Sequence, residues 1–163
     1  MLSRARRRGE TEETGIPDLT TDPGFFELLT GSHRRLVGRP LLPDGADADW
    51  AYRLAPFALL AHDTAPDPCF VYANRMAQEN FGYSRDELIG MPSRLSAEAP
   101  DRAERDRLLA AVARNGCVAG YSGIRIAKSG RRFPIVDVVV WQLIDADGVT
   151  HGQAATYRLP PGG

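Results

Sequence analysis

The sequence predicts an α+β domain: a five-stranded antiparallel sheet with short helices packed on one face, plus an N-terminal amphipathic helix. Three observations carry this. Two short apolar runs, 56–62 and 69–72, are joined by Asp63-Thr64-Ala65-Pro66-Asp67-Pro68, a stretch dense in turn residues, and form a first strand block. Residues 74–114 then show helix starts and stops. The C-terminal third returns to strand-like patterning in three runs. Strands and helices in separate blocks argue for α+β and against an alternating parallel βαβ sheet. A length of 163 residues suits one core that needs neither a disulfide framework nor a structural metal.

Taken in order, residues 1–21 alternate basic and acidic blocks with almost no branched apolar or aromatic residue, and are expected to be a disordered charged tail. Asp22-Pro23 supplies an N-cap and a first-turn proline, and Phe26, Leu29, His33 and Leu36 recur at helical spacing. That predicts an amphipathic helix over 23–37, ended by Gly38 and Pro40, so 22–46 is a helix-and-loop unit. A core is expected over 47–159, beginning with a helical turn near 49–54. The two runs 56–62 and 69–72 form a hairpin. Asn74 caps a helix that ends at Gly82, and Ser84 with Glu87 is a capping-box pattern. A longer helix over 102–114, opened by Asp101, presents Leu108, Leu109 and Val112 on one side. Strands follow at 118–127, 132–144 and 150–159, joined by Lys128-Ser129-Gly130 and Asp145–Gly148, and 160–163 forms a flexible end.

A formal net charge of −1 offers no electrostatic footprint for nucleic acid. No window approaches 18 consecutive apolar residues, so neither a membrane span nor a signal-peptide core is expected, and the chain reads as cytoplasmic. Cys69 and Cys117 match no metal-ligand spacing and read as small buried thiols. Of the 20 basic residues only Lys128 is lysine, a skew that folding does not explain.

The strand, helix, strand order, with Phe70-Val-Tyr72-Ala-Asn74, Phe81-Gly-Tyr-Ser84 and Asp86-Glu-Leu-Ile-Gly90-Met-Pro92, resembles a PAS domain. Pro92-Ser-Arg-Leu-Ser-Ala-Glu98, Tyr121-Ser-Gly-Ile-Arg-Ile126, Gly130-Arg-Arg-Phe133, Val140-Trp141 and Gly152-Gln-Ala-Ala155 resemble more closely the MEKHLA domain, a PAS-related family. The resemblance covers roughly residues 23–159. It implies a PAS-like fold and a sensory role: a small molecule held between sheet and helices, with signalling through protein association, as a homodimer built on the N-terminal helix or with a separate effector. It implies no catalytic residue.

The cofactor is not legible. A flavin adduct of the light-oxygen-voltage type is disfavoured because Gly90-Met-Pro-Ser-Arg-Leu holds no cysteine. Haem is disfavoured because His33, His62 and His151 lie outside the long helix that carries the proximal ligand in haem-binding PAS domains. Pairing Ser93, Ser96 or Ser122 with His62 or His151 has no support from spacing, so an enzyme is not expected.

Polar residues within the late strands are the most informative. Period-two alternation places Asp137 on one face with Phe133, Ile135, Val139, Trp141 and Leu143. A three-residue loop at 128–130 puts Ala127 opposite Arg131, Arg125 opposite Phe133 and Tyr121 opposite Asp137. A two-residue loop instead turns Ile124 and Ile126 to that face; turn chemistry favours the first register and the apolar count the second. The functional reading is that Tyr121, Arg125, Asp137 and Gln153, joined by Phe133, Trp141 and Arg94 from the helical side, line a polar-ended pocket for an anionic or hydrogen-bonding ligand. The competing reading is a buried Arg125–Asp137 ion pair that sets strand register, in a ligand-free interaction module.

Overall fold

The computed structural model describes residues 15–162. Helix α1 (Pro23–Val37) and the short α2 (Ala48–Arg53) precede strands β1 (Ala58–His62) and β2 (Phe70–Ala73). Helices α3 (Arg75–Phe81) and α4 (Arg85–Leu88), a 3-10 turn at Ser93–Ser96 and the long α5 (Ala99–Asn115) follow. Strands β3 (Cys117–Ile126), β4 (Arg132–Ile144) and β5 (Thr150–Arg158) complete one five-stranded antiparallel sheet in the order β2-β1-β5-β4-β3. The last strand therefore lies between the first and the fourth, joining the two strand blocks edge to edge. Among the described residues no helix is long and apolar enough to cross a membrane.

The caps legible in the sequence form as the chemistry of short polar side chains requires. Asp22 accepts from the Phe25 amide, Asn74 from Ala77, and Ser84 from Glu87, whose carboxylate returns the bond to the Ser84 amide. The long helix begins three residues earlier than expected. Pro100 occupies its first turn, so Asp101 lies inside the helix, and the N-cap, Glu98, makes no side-chain capping bond.

The sheet is covered on both sides, which is why all five residues of β1 are buried. On one face Ala58, Leu60, Phe133, Ile135, Val138, Val140 and Tyr157 meet Ala77 and Phe81 of α3, Leu88 of α4, and Leu108 and Val112 of α5. On the other, Leu59, Ala61, Val139, Trp141 and Leu143 meet Phe25 and Leu29 of α1. Residues 1–14 of the expected tail lie outside the described residues. The rest of it is not a tail: Ile16 and Leu19 pack against this second cluster, the Leu19 amide donates to the Val71 carbonyl, and Asp18 pairs with Arg85 at 2.8 Å. Two apolar side chains and an edge strand with open carbonyls suffice to pin a polar segment.

The hairpin turn adopts the three-residue form. The Ala127 amide donates to the Arg131 carbonyl, and Arg125 stands opposite Phe133. Further along, the register departs from simple alternation. Tyr121 pairs with Val138 rather than Asp137, because Gly120 (φ 77°) adds a residue to β3 and Asp137 (φ 53°) adds one to β4. A bulge reverses the phase of every side chain beyond it. Phe133 and Ile135 therefore face α3–α5, whereas Val139, Trp141 and Leu143 face α1. Asp137 is exposed. The expectation that it shares a face with Phe133 is corrected: Asp137 lies at the edge of the α1 side, beside Val139, and no Arg125–Asp137 ion pair forms.

Asp137 is the one non-glycine residue with positive φ among those described. Asp137→Gly should leave stability unchanged or raise it by up to about 1 kcal/mol, and Asp137→Val should lower it by about 1–2 kcal/mol, since a β-branched residue resists the left-handed region. Urea denaturation of the three proteins checks the order.

Candidate functional site

Between the sheet and α5 lies a cavity of about 70 Å³. A single water needs roughly 10–15 Å³ on this measure, so there is room for several waters or a small organic molecule. Its walls are mostly apolar, from Leu60, Phe70, Phe81, Leu108, Ile135, Val138 and Val140, with a polar set at His62, Ser93, Arg105, Arg125, Gln153 and Tyr157.

Strand register assembles half of that polar set. His62 ends β1 directly opposite Gln153 of β5, and Gln153 is in turn opposite Gln142 of β4. The Gln153 amide nitrogen donates to the Gln142 side-chain oxygen at 2.7 Å and to the Leu109 carbonyl at 3.2 Å. The Leu109 backbone carbonyl, which can only accept, fixes which end of the amide is nitrogen. Gln153 Oε1 is buried and makes no hydrogen bond of good geometry, although the side chain lies close enough to His62 to oppose the fall of its pKa, and the Tyr157 hydroxyl is buried without a partner. Burial raises the Tyr157 pKa, so the phenol is protonated.

The helical side supplies the rest. Ser93 enters through an isolated bridge between Cys69 and Pro92 and a hydrogen bond from its own amide N–H to the Pro68 carbonyl at 2.8 Å. Arg105 Nη2 donates to Ser93 Oγ at 2.5 Å, and Ser93 Oγ lies 3.0 Å from His62 Nδ1. Having accepted from arginine, Ser93 Oγ keeps its own proton and a second lone pair for Nδ1, so the contact forms with either tautomer of a neutral His62. Burial, reinforced by the Arg105 charge, pushes the His62 pKa down to about 4. Burial and then the nearby Arg125 charge push Arg105 down to about 10, which leaves it protonated at neutral pH.

The His62 shift sets a pH dependence. The unfolded chain takes up this proton below about 6.5 whereas the native protein resists it to about 4, so the unfolded state binds more protons in that window. Stability should be flat above pH 6.5 and fall by about 3 kcal/mol between pH 6.5 and 4, at about 1.4 kcal/mol per unit. Burial depresses His33 as well and adds in the same direction. Denaturant titration across this range should show a shallower slope in His62→Asn; an unchanged slope would place the loss elsewhere.

The structure brings only part of the sequence-derived set together. Arg125 and Gln153 line the cavity. Tyr121 stands beside Arg125, whose guanidinium carbon is 5.9 Å from the ring centre, and burial raises the pKa of its hydroxyl. Phe133 packs edge-on against Phe81 at 5.0 Å, in the core next to the cavity. Arg94 is on the surface with Asp67 at 3.1 Å. Asp137 and Trp141 belong to the other face, where the Trp141 indole donates to Ser32 Oγ at 3.0 Å and meets His33 edge-on at 4.7 Å.

Sequence reasoning missed Arg105 and set aside the pairing of Ser93 with His62, which the structure brings into contact. Arg105 had a readable signal, since it precedes Leu108, Leu109 and Val112 at helical spacing and is thus a charge on an apolar stripe. The Ser93–His62 contact had none, because 31 residues separate the pair and only the sheet register and the Cys69–Pro92 bridge bring them together. Neither cysteine lines the cavity: Cys69 Sγ turns to the Asp67 carbonyl and Cys117 Sγ to the Leu36 carbonyl on the α1 side.

Several solved structures share the fold. The PAS domain of a protein from Colwellia psychrerythraea superposes with a TM-score of 0.60 at 18% identity, over 69% of this chain and 92% of that one. A fungal light-oxygen-voltage domain photoreceptor gives 0.56 at 22% identity, over 85% and 98%. The light-oxygen-voltage protein of Rhodobacter sphaeroides gives 0.58 at 13% identity, over 69% and 64%. Among curated proteins no sequence matches. The family model described as MEKHLA domain matches residues 24–159, from the first turn of α1 to just past the end of β5, and the chain belongs to that PAS-like family.

Proposed function

We propose that this chain is a sensory module in which a small molecule occupies the cavity between the sheet and α5, and that occupancy is passed on through protein association, as a homodimer or with a separate effector. The observation that carries the reading is the pair of orphaned buried polar atoms, Gln153 Oε1 and the Tyr157 hydroxyl, in the wall of an apolar cavity. A buried polar atom without a partner costs about 1–3 kcal/mol, and a bound molecule with matching groups recovers that. Membership of a PAS-like family and structural neighbours among light-oxygen-voltage domains support a sensing role. At about 70 Å³ the cavity suits a molecule of a few heavy atoms; sites for larger ligands run to roughly 300–1,000 Å³.

The site reads as binding rather than catalytic. Ser93 and His62 are in hydrogen-bond contact, yet no carboxylate lines the cavity to orient the imidazole, and a histidine with a pKa near 4 is a weak base. Native mass spectrometry of the full chain should show a stoichiometric bound mass that denaturation releases. Ala155→Leu, which fills the cavity from β5, should lose that mass while remaining folded. An empty, dimeric wild type would instead favour a ligand-free interaction module.

A further inference from the structure

Resting on the reading of this cavity as a ligand site, we infer that its occupant is a small organic anion: a short-chain carboxylate bearing a hydroxyl group, with the carboxylate between Arg105 and Arg125. Both guanidinium-bearing residues line the cavity and are over nine-tenths buried, at 7% and 8% exposure. A guanidinium has five N–H donors and stays charged. Arg105 spends one on Ser93 Oγ, and its nearest carboxylate, exposed Asp106, is 3.6 Å away. Arg125 gives one to the Ile124 carbonyl and, among the described residues, forms no ion pair. His62 is neutral, and no Asp or Glu lines the space.

Two like charges thus share one buried wall, with only the exposed Asp106 against Arg105 and no carboxylate inside the cavity, an arrangement that repels itself. A carboxylate placed between them offsets both charges and takes up N–H donors that the protein leaves free. The remaining wall decides between anions. Leu60, Phe70, Leu108, Ile135 and Val140 present an apolar lining that suits a short aliphatic stem and offers inorganic phosphate nothing. Gln153 Oε1 accepts and cannot donate, so it calls for a hydroxyl on that stem, with the Tyr157 hydroxyl as a second partner.

The test is calorimetric titration and thermal shift of the full chain, dialysed free of any co-purified mass, with 3-hydroxybutyrate, butyrate, butyramide and inorganic phosphate. 3-Hydroxybutyrate should bind at least fivefold tighter than butyrate, and butyramide, the uncharged isostere, should not bind. Arg125→Met should weaken 3-hydroxybutyrate at least 100-fold, yet melt no lower than the wild type without ligand, because the repulsion on Arg105 is gone. Arg125→Lys, which keeps the charge and loses the fork, should retain part of the affinity and guards against misfolding of the first variant. Butyramide binding as well as butyrate, phosphate binding best, or an Arg125→Met affinity equal to wild type would overturn the anion assignment. A neutral bound mass in native spectra would overturn the assignment while leaving the cavity a ligand site. An empty cavity that answers to none of the four probes would overturn both.

Discussion

Asn74→Ala should lower the unfolding free energy by about 4 kcal/mol, four times the effect expected of an ordinary helix cap. The side chain is fully buried and makes four hydrogen bonds. Its Oδ1 accepts from the Ala77 amide at 3.1 Å, capping α3, and from the Leu59 amide in β1 at 3.0 Å. Its Nδ2 donates to the carbonyls of Ala51 at 3.1 Å and Phe57 at 3.0 Å. Alanine leaves two buried amides and two buried carbonyls without partners, at roughly 1 kcal/mol each. Ser84→Ala is the control, an exposed cap of the same type on α4, and should cost about 1 kcal/mol. Asn74→Asp should fall well below wild type too, since it keeps the acceptor, loses both donated bonds and buries a charge. Equilibrium denaturation of the three variants separates the outcomes; equal losses in Asn74→Ala and Ser84→Ala would reduce Asn74 to a simple cap.

Gly152→Ala should cost about 3 kcal/mol and disturb the cavity at the same time. Gly152 has φ 144°, and a Cβ there would sit 1.9 Å from the His62 carbonyl oxygen and 3.2 Å from Asp63 Cα. Both obstacles are backbone and neither can swing aside. Relief requires β1 and β5 to separate where His62 faces Gln153, so the Ser93–His62 contact should loosen as well. Denaturation gives the stability change, and the titration of the His62 imidazole by NMR gives the local one, with its pKa expected to rise from about 4 toward the solution value. Gly120→Ala is the comparison: φ there is also positive, at 77°, but a Cβ would meet open space, so only backbone strain of about 1 kcal/mol is expected. A Gly152→Ala protein as stable as Gly120→Ala would show that the two strands separate freely.

These two residues mark how far a sequence can be read. Asn74 is recognisable as a cap because capping depends on a polar side chain immediately before a helix. Its bonds to Ala51, Phe57 and Leu59 are invisible because they depend on where α2 and β1 pack. Gly152 is recognisable only as part of the Gly152-Gln-Ala-Ala155 segment that resembles the family; the reason for glycine lies in the approach of a strand ninety residues earlier.

The candidate site divides in the same way. Arg125 and Gln153 were legible as polar residues in apolar strands, and the three-residue turn at 128–130 put Arg125 opposite Phe133. Asp137 and Trp141 were placed on the wrong face because alternation assumes an uninterrupted ladder, and one inserted residue reverses every side chain beyond it. Local chemistry therefore determined the α+β class, the order of elements, the caps and the turns, since each depends on residues within a few positions of one another. Tertiary structure alone decided the strand order β2-β1-β5-β4-β3, the compensating bulges, the docking of Ile16 and Leu19, and the meeting of His62, Ser93, Arg105 and Arg125 around one cavity. Those features arise from contacts across the whole chain, where register and burial outweigh the local pattern.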